Sequence, residues 1–188
     1  MKTKHVLLLI LCVFVLTGCP RNIVRNSSNV VNKPVFKLHV AGRSGQLKIK
    51  EAKGNGRCNP NNPTSGCVRV PKLDTALINF ELQNSPVSTW HFTQFIICPG
   101  SAKDVACNLE SWQQSEFFAA DSVASQLLFP DTNGKIDLTQ LSASLTEFYI
   151  FDFNSIPHDF FYSIEVCNTD DVPECLWTDP PIENEGRR

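Results

Sequence analysis

Short runs in which apolar and polar residues alternate recur through most of the chain. Residues 35–40 carry Phe36, Leu38 and Val40 at every second position, and residues 47–50 repeat the alternation after a turn that contains glycine. A period of two residues is typical of a β-strand with one buried face. The pattern therefore predicts a β-hairpin made from these two runs.

Further strands are indicated by four later runs, over residues 76–82, 90–98, 148–151 and 160–167. Strict alternation in the second run would place Trp90, Phe92, Gln94 and Ile96 on one face and His91, Thr93, Phe95 and Ile97 on the other. Residues 148–151 are apolar or aromatic at every position. We therefore expect them to form a central strand that is covered on both sides and pairs with residues 160–167.

The pair Asn133-Gly134 marks a tight turn, because Asn and Gly accept the positive φ angles that hairpin turns need. We expect this turn to join residues 127–129 to residues 136–138 in a second hairpin. Residues 110–118 fit either a short helix or part of a loop. Trp177 is expected to be the last packed residue.

These elements predict an all-β domain, because about eight short strands are separated by turn signals and very little helix is indicated. An antiparallel β-sandwich, Ig-like or related, is the architecture that best fits this pattern. A small β-barrel is the alternative.

The N-terminal segment follows a different pattern. Lys2 and Lys4 precede an apolar run of eleven residues over positions 6–16, and small residues lead on to Cys19. A basic start, an apolar run and small residues, in this order, are typical of an export signal. As a helix the run would rise only about 16 Å, which is too short for the roughly 30 Å hydrocarbon core of a bilayer.

The tetrapeptide Leu16-Thr17-Gly18-Cys19 resembles the lipobox of bacterial lipoproteins at each of its positions. The resemblance implies cleavage between Gly18 and Cys19, a diacylglycerol thioether on Cys19 and acylation of the new N-terminus. Two or three acyl chains would make release from the membrane negligible. Because Pro20 rather than Asp follows the cysteine, the resemblance further implies the outer membrane of a Gram-negative bacterium, with a periplasm-facing domain. An ordinary secretory signal cut near Gly18 is the alternative.

These features divide the chain into a signal peptide (1–18), a lipidated N-terminus and tether (19–33), a β-sandwich domain (34–178) and an exposed tail (179–188). The tether is rich in Asn and Ser and has no clear period. Its fourteen residues from Pro20 to Lys33 would span about 20 Å as a flexible chain. The domain is therefore predicted to stay close to the membrane.

Charge is distributed unevenly along the chain. Residues 19–73 contain eleven Lys and Arg against one acid, whereas residues 74–188 contain four Lys and Arg against eighteen acids. One interpretation is a basic face near the tether that contacts anionic head groups or glycan phosphates. The other is that strands of both parts interleave in one sheet and their charges pair across it. Nucleic acid is not an expected partner of an exported domain with a net acidic charge.

Six of the eight cysteines remain after Cys12, which lies in the leader, and Cys19, which takes the lipid. An even number of cysteines in an exported chain implies disulfides. Their spacing predicts the pairs Cys58–Cys67, Cys98–Cys107 and Cys167–Cys175. Each bridge closes a loop of about ten residues and contributes roughly 2.5–3 kcal/mol of stability. Zinc is the rival, but structural zinc sites use cysteine pairs that are closer in sequence.

No motif for metal binding is convincing. His39, His91 and His158 are the histidines beyond the leader, and no two have the spacing of a shared metal site. Residues 131–137 superficially resemble a calcium loop, but Gly and Glu are missing where such a loop requires them. A hairpin turn explains this segment better. We therefore expect no metal and no other cofactor.

The sequence favours a non-enzymatic binding module that contacts another envelope protein or the cell-wall glycan. Trp112 lies in a polar stretch, and it is the aromatic residue that we single out as a possible binding surface. One alternative is a carboxylate-dependent periplasmic hydrolase, although acids such as those of Asp170-Asp171 do not by type alone identify a general acid and base. Another is an enzyme inhibitor that presents the 58–67 loop.

Overall fold

A computed structural model of the protein describes residues 33–41, 46–58, 61–62, 64, 66–70, 74–83, 90–100, 107–122, 126–154, 160–169, 174–178 and 181–184. For residues 41, 46 and 181–184 the description covers the backbone alone. The predicted signal peptide, Gly18, Cys19 and the tether up to residue 32 lie outside the described residues, as do His158 and the acids at 170 and 171.

The described residues form strands, one short α-helix and one 3-10 turn. The strands are β1 Val35–Ala41, β2 Gln46–Lys53, β3 Val68–Val70, β4 Ala76–Gln83, β5 Trp90–Pro99, β6 Phe117–Ala120, β7 Lys135–Asp137, β8 Glu147–Asp152, β9 Phe160–Asn168, β10 Cys175–Thr178 and β11 Pro181–Asn184. The helix α1 covers Ser111–Gln114, and the 3-10 turn covers Leu138–Gln140. Within this part of the chain, no helix has the length and apolarity needed to cross a membrane.

The strands form two sheets that pack face to face. The first sheet has the order β2-β1-β4-β8-β6, and the second has the order β3-β11-β9-β5-β7 with β10 also beside β9. Most neighbours are antiparallel, but β1 runs parallel to β4 and β3 runs parallel to β11. The predicted β-sandwich is therefore confirmed, as is the predicted hairpin of β1 and β2.

The two sheets meet through an aromatic core. Phe80 of β4 stacks on Phe148 of β8, with ring centroids 5.0 Å apart, and meets Tyr162 of β9 edge-on at 5.4 Å. Tyr162 also stacks on Phe95 of β5 at 5.5 Å. Its hydroxyl donates a hydrogen bond of 2.7 Å to the carbonyl oxygen of Gly66, which ties the core to the loop before β3. Burial of such rings is the main source of stability in a small sandwich.

A β-bulge in β5 decides which of its side chains face this core. The pairing of β5 with β9 shifts between Phe92 and Gln94, so Thr93 is an extra residue. The buried side chains are Trp90, Phe92, Phe95 and Ile97. The face assignment predicted for residues 90–98 is therefore wrong beyond Phe92, because one inserted residue changes the alternation.

Two predicted strand pairings are also wrong. The turn at Asn133-Gly134 is present, but β7 pairs with β5, and Leu128 bridges to Ala119 of the first sheet instead. Strands β8 and β9 do not pair, because they belong to opposite sheets. The turn is a local feature, whereas both pairings depend on how distant strands pack.

The sandwich continues past its predicted C-terminal boundary. Residues Pro181–Asn184 lie in the predicted tail, yet they form β11, which pairs with β9 and with β3. The boundary at residue 178 is therefore wrong. Pro181 is compatible with a strand because it is the first residue of β11, where a missing N–H is tolerated. Trp177 is 41% exposed, so it is not the packed residue that the sequence predicted.

The three predicted disulfides are present, as Cys58–Cys67, Cys98–Cys107 and Cys167–Cys175. The last of them joins directly opposite positions of β9 and β10. In the first sheet, Lys37 and Glu81 form an ion pair of 3.2 Å between β1 and β4. This contact joins the basic and the acidic parts of the chain, as expected if their strands interleave.

A substitution at Gly134 tests the turn that places β7 beside β5. Its φ is 73°, and a Cβ there would overlap the carbonyl oxygen of Ile97. We expect Gly134→Ala to lower the free energy of unfolding by about 3 kcal/mol in urea denaturation. Gly100 is a matched control with φ 100° and open space around it, so Gly100→Ala should cost about 1 kcal/mol from backbone strain alone. Equal losses in the two variants would contradict the close approach to Ile97.

Candidate functional site

The outer face of the first sheet carries a row of apolar side chains in a position where polar ones are usual. Leu77 of β4 lies opposite Phe151 of β8, which lies opposite Phe118 of β6. After β6, Leu128 forms an antiparallel bridge with Ala119 of β6, which places Phe129 beside Phe118. Together with Phe153, just beyond β8, these residues form a surface that we call the phenylalanine patch.

The rings of the patch pack directly on one another. Phe118 and Phe151 are stacked, with centroids 5.1 Å apart and planes 6° from parallel. Phe153 lies 4.7 Å from Phe151 and 5.8 Å from Phe118. Phe129 lies 5.9 Å from Phe118 on the other side. The central pair is therefore flanked by two further rings.

Exposure differs sharply between the members of the patch. Leu77, Phe118 and Phe151 are at most 7% exposed, whereas Phe129 is 53% exposed and Phe153 is 38% exposed. In the described part of the chain, Trp177 of β10 is the other large apolar side chain with comparable exposure. The patch is thus a buried apolar base with two rings projecting into solvent.

The end of β8 fixes the position of Phe153. Asn154 adopts a positive φ of 44°, which Asn tolerates better than most residues, and its N–H donates to Asp152 Oδ1 at 2.9 Å. Its side-chain amide donates to the carbonyl oxygen of Val70 at 3.4 Å. The N–H of Phe153 itself donates to the carbonyl oxygen of Glu116 at 2.9 Å. Phe153 is therefore exposed but held by a bonded backbone.

A polar strip lies next to the patch on the same face. Glu147 Oε1 accepts hydrogen bonds from Asn79 Nδ2 at 2.9 Å and from the Tyr149 hydroxyl at 2.7 Å. Burial, followed by this bond, raises the pKa of Tyr149, so the phenol stays protonated and donates. Glu81, opposite Glu147 in the sheet, forms the ion pair with Lys37. The two neighbouring carboxylates are thus each engaged by other side chains.

Trp112, the sequence-predicted surface residue, lies on α1 and is half-buried. Its Nε1 donates to Glu110 Oε2 at 2.6 Å. The segment that fitted either a helix or a loop contains both α1 and the start of β6. Of the histidines, His39 lies on β1 and His91 on β5, so the structure places them in different sheets.

One group on the second sheet has the residue types of a metal site. Ligand atoms of Glu165, Cys167 and Cys175 lie within 4.8 Å of one another, and Thr93 donates to Glu165 Oε2 at 2.6 Å. The two sulfurs are bonded to each other in a disulfide. In this state the group offers a metal one carboxylate and no thiolate, which is a weak donor set.

The phenylalanine patch was not predicted from the sequence. The signal available was the spacing of Phe151 and Phe153 two positions apart, which places both on one face of an extended chain. The contributions of Phe118 and Phe129 depend on strand neighbours that sequence alone did not identify. Because residues 148–151 were predicted to form a strand covered on both sides, the outward side chains of that strand were expected to lie in the core.

No known protein family matches the sequence, and no curated protein does. Among solved structures, reduced rusticyanin is similar over 80% of this chain and 79% of its own, with 8% identity and a TM-score of 0.30. A variant of the multicopper oxidase McoA from Aquifex aeolicus is similar over 84% of this chain, with 13% identity and a TM-score of 0.28. This chain spans 30% of the length of that oxidase. Similarities this weak carry no argument about function.

The division of the patch into a buried base and projecting rings predicts losses of stability of very different size on mutation. Phe118→Ala should lower the free energy of unfolding by about 3–4 kcal/mol, because a buried ring is lost and a cavity is left. Phe129→Ser should change it by about 0.5 kcal/mol or less, because that ring is mostly in solvent. Chemical denaturation of both variants measures the difference. A loss for Phe129→Ser as large as that for Phe118→Ala would mean that Phe129 belongs to the core.

Proposed function

We propose that this protein is a lipid-anchored, non-enzymatic binding module of the bacterial outer membrane, and that it binds through the phenylalanine patch. The observation that carries the proposal is the exposure of Phe129 and Phe153 on a buried apolar base. Large exposed apolar surfaces are unfavourable in water, so a contiguous one marks an interaction site more often than an isolated residue does.

The rigidity of the patch supports a role in binding. Phe118 and Phe151 are fixed in the sheet, and the backbone around Phe153 is held by hydrogen bonds to Glu116 and within the turn. A surface that is already ordered loses little conformational entropy when a partner covers it. Aromatic rings are also the side chains that most often dominate the energy of an interface.

The leader supports the location. The tetrapeptide that ends in Cys19 follows an apolar run with a basic start, as in lipoproteins, and Pro20 favours the outer membrane. Three disulfides agree with an exported domain, because such bridges persist in oxidising compartments. The anchor would hold the domain in the periplasm, within reach of envelope components.

The contacts of the neighbouring carboxylates Glu81 and Glu147 support binding rather than hydrolysis. Glu81 and Glu147 lie opposite each other on neighbouring strands. Lys37 forms an ion pair with Glu81. Asn79 and Tyr149 donate hydrogen bonds to Glu147. A general acid and base need protons that are free to move to a substrate. Both groups are instead engaged by neighbouring side chains of the sheet.

Loss of the lipidated cysteine tests the anchor. Cys19→Ala should abolish labelling of the protein with radioactive fatty acid in growing cells and leave an unprocessed precursor, because the thioether cannot form. Continued acylation of this variant would contradict the lipid anchor. Wild-type protein expressed at the same level is the control.

Site-specific cross-linking tests the patch. A photoreactive benzoylphenylalanine in place of Phe129 should form adducts with an envelope component in living cells, whereas the same group in place of Trp177 should form few. The two positions have similar exposure, 53% and 41%, so the comparison isolates the contribution of the patch. Equal yields at the two positions, or no adduct at either, would contradict binding through the patch.

A further inference from the structure

We propose that the partner of the phenylalanine patch is the lipid surface itself, namely the head-group and upper acyl region of the membrane that holds Cys19. The inference rests on the proposed function, since it requires the lipid anchor. It assigns the exposed rings a second attachment to the same membrane, which would fix the orientation of the domain.

The tether joins the domain just before β1. Strands β1 and β4 are parallel, with Val35 opposite Asn79, so Lys33 lies level with Leu77 of the patch. The N–H of Asn79 donates to the carbonyl oxygen of Pro34 at 2.9 Å, which continues the sheet pattern up to the tether. The chain from the lipid therefore enters the domain at the same end of the first sheet as the patch.

The entry point is also held firmly. A Cβ on Gly54 would overlap the carbonyl oxygen of Lys33, so the loop after β2 packs directly against the last residue of the tether. Arg57 braces this loop, with hydrogen bonds from its guanidinium to the carbonyl oxygens of Gly54 at 3.0 Å and Ala52 at 2.8 Å. The position of Lys33 relative to the patch is thus fixed by the fold.

The tether is short. Fourteen residues separate Cys19 from the domain, and a flexible chain of that length would span about 20 Å. Gln83, at the other end of β4, lies a further 20 Å or so from Leu77 at roughly 3.3 Å per residue. An anchored domain therefore keeps its patch end near the bilayer, while the opposite end of the sheet stays farther away.

The chemistry at this end suits a lipid interface. Phe side chains enter the boundary between head groups and acyl chains, and nearby Lys and Arg interact with lipid phosphates. The tether carries Arg21, Arg25 and Lys33 and no acid. Lys53 pairs with Val35 in the adjacent strand, and its side chain is 63% exposed and forms an ion pair of 2.6 Å with Glu51.

Charge supplies the smaller part of this contact. Asp121 follows β6, and Asp131 follows the segment that contains Phe129, so the surface around the patch is not uniformly basic. Burial of the two rings is then the main favourable contribution, and apolar burial is insensitive to salt screening. This combination favours a neutral or weakly anionic lipid surface over a strongly anionic polymer.

Quenching by brominated lipid tests the inference on the full acylated chain. Phe129→Trp protein is purified from bacterial membranes and reconstituted into phosphatidylethanolamine and phosphatidylglycerol vesicles, with either ordinary or brominated acyl chains. We expect the fluorescence added by the introduced tryptophan to fall roughly twofold with brominated chains, because a ring at the interface reaches their upper carbons. The wild-type protein has no tryptophan in the patch and gives the quenching of the native tryptophans for subtraction, and Phe153→Trp should behave like Phe129→Trp.

Each outcome decides the inference. Quenching at positions 129 and 153 that persists in 0.5 M salt (roughly a 4–5 Å screening length) supports it. Unquenched tryptophans in protein that floats with the vesicles would overturn it while leaving the anchor and a protein partner for the patch intact. Protein that is not acylated and does not float would overturn both this inference and the proposed function.

Discussion

The antiparallel pairing of β4 with β8 determines both the core and the surface of this protein. At one position it sets Phe80 opposite Phe148, and both rings enter the core. Three positions along, the same pairing sets Leu77 opposite Phe151 on the outer face. Because successive side chains of a strand point to opposite faces, neither set can move without the other. The stability of the sandwich therefore also holds the phenylalanine patch in place.

Much of the fold follows from local features of the sequence. The hairpin of β1 and β2, the turn at Gly134 and the three disulfides were predictable, because each depends on residues that are close along the chain. The bulge at Thr93 and the separation of β8 from β9 were not, because they depend on packing between distant strands. Periodicity gives the faces of a regular strand, but it gives neither the position of a bulge nor the neighbours of the strand.

The same distinction explains what could be predicted of the candidate site. The lipid anchor proposed at Cys19 rests on a local sequence pattern. The patch is assembled from β4, β6, β8 and the segment at residue 129, so it exists only once the order of the first sheet is known. Trp112, the aromatic residue that stood out in the sequence, is half-buried and donates to Glu110. Its role as a binding surface stays a prediction.

The proposed lipid anchor lies at one end of the tether and the phenylalanine patch at the other, so we expect the patch to be covered in the anchored protein. Hydroxyl-radical footprinting of isolated membranes, read by mass spectrometry, measures this coverage. Relative to the domain released by cleavage in the tether, oxidation of Phe129 and Phe153 should fall several-fold in membranes, toward that of buried side chains, while oxidation of Trp177 stays the same. Equal oxidation of Phe129 and Phe153 in both preparations would contradict the expected coverage.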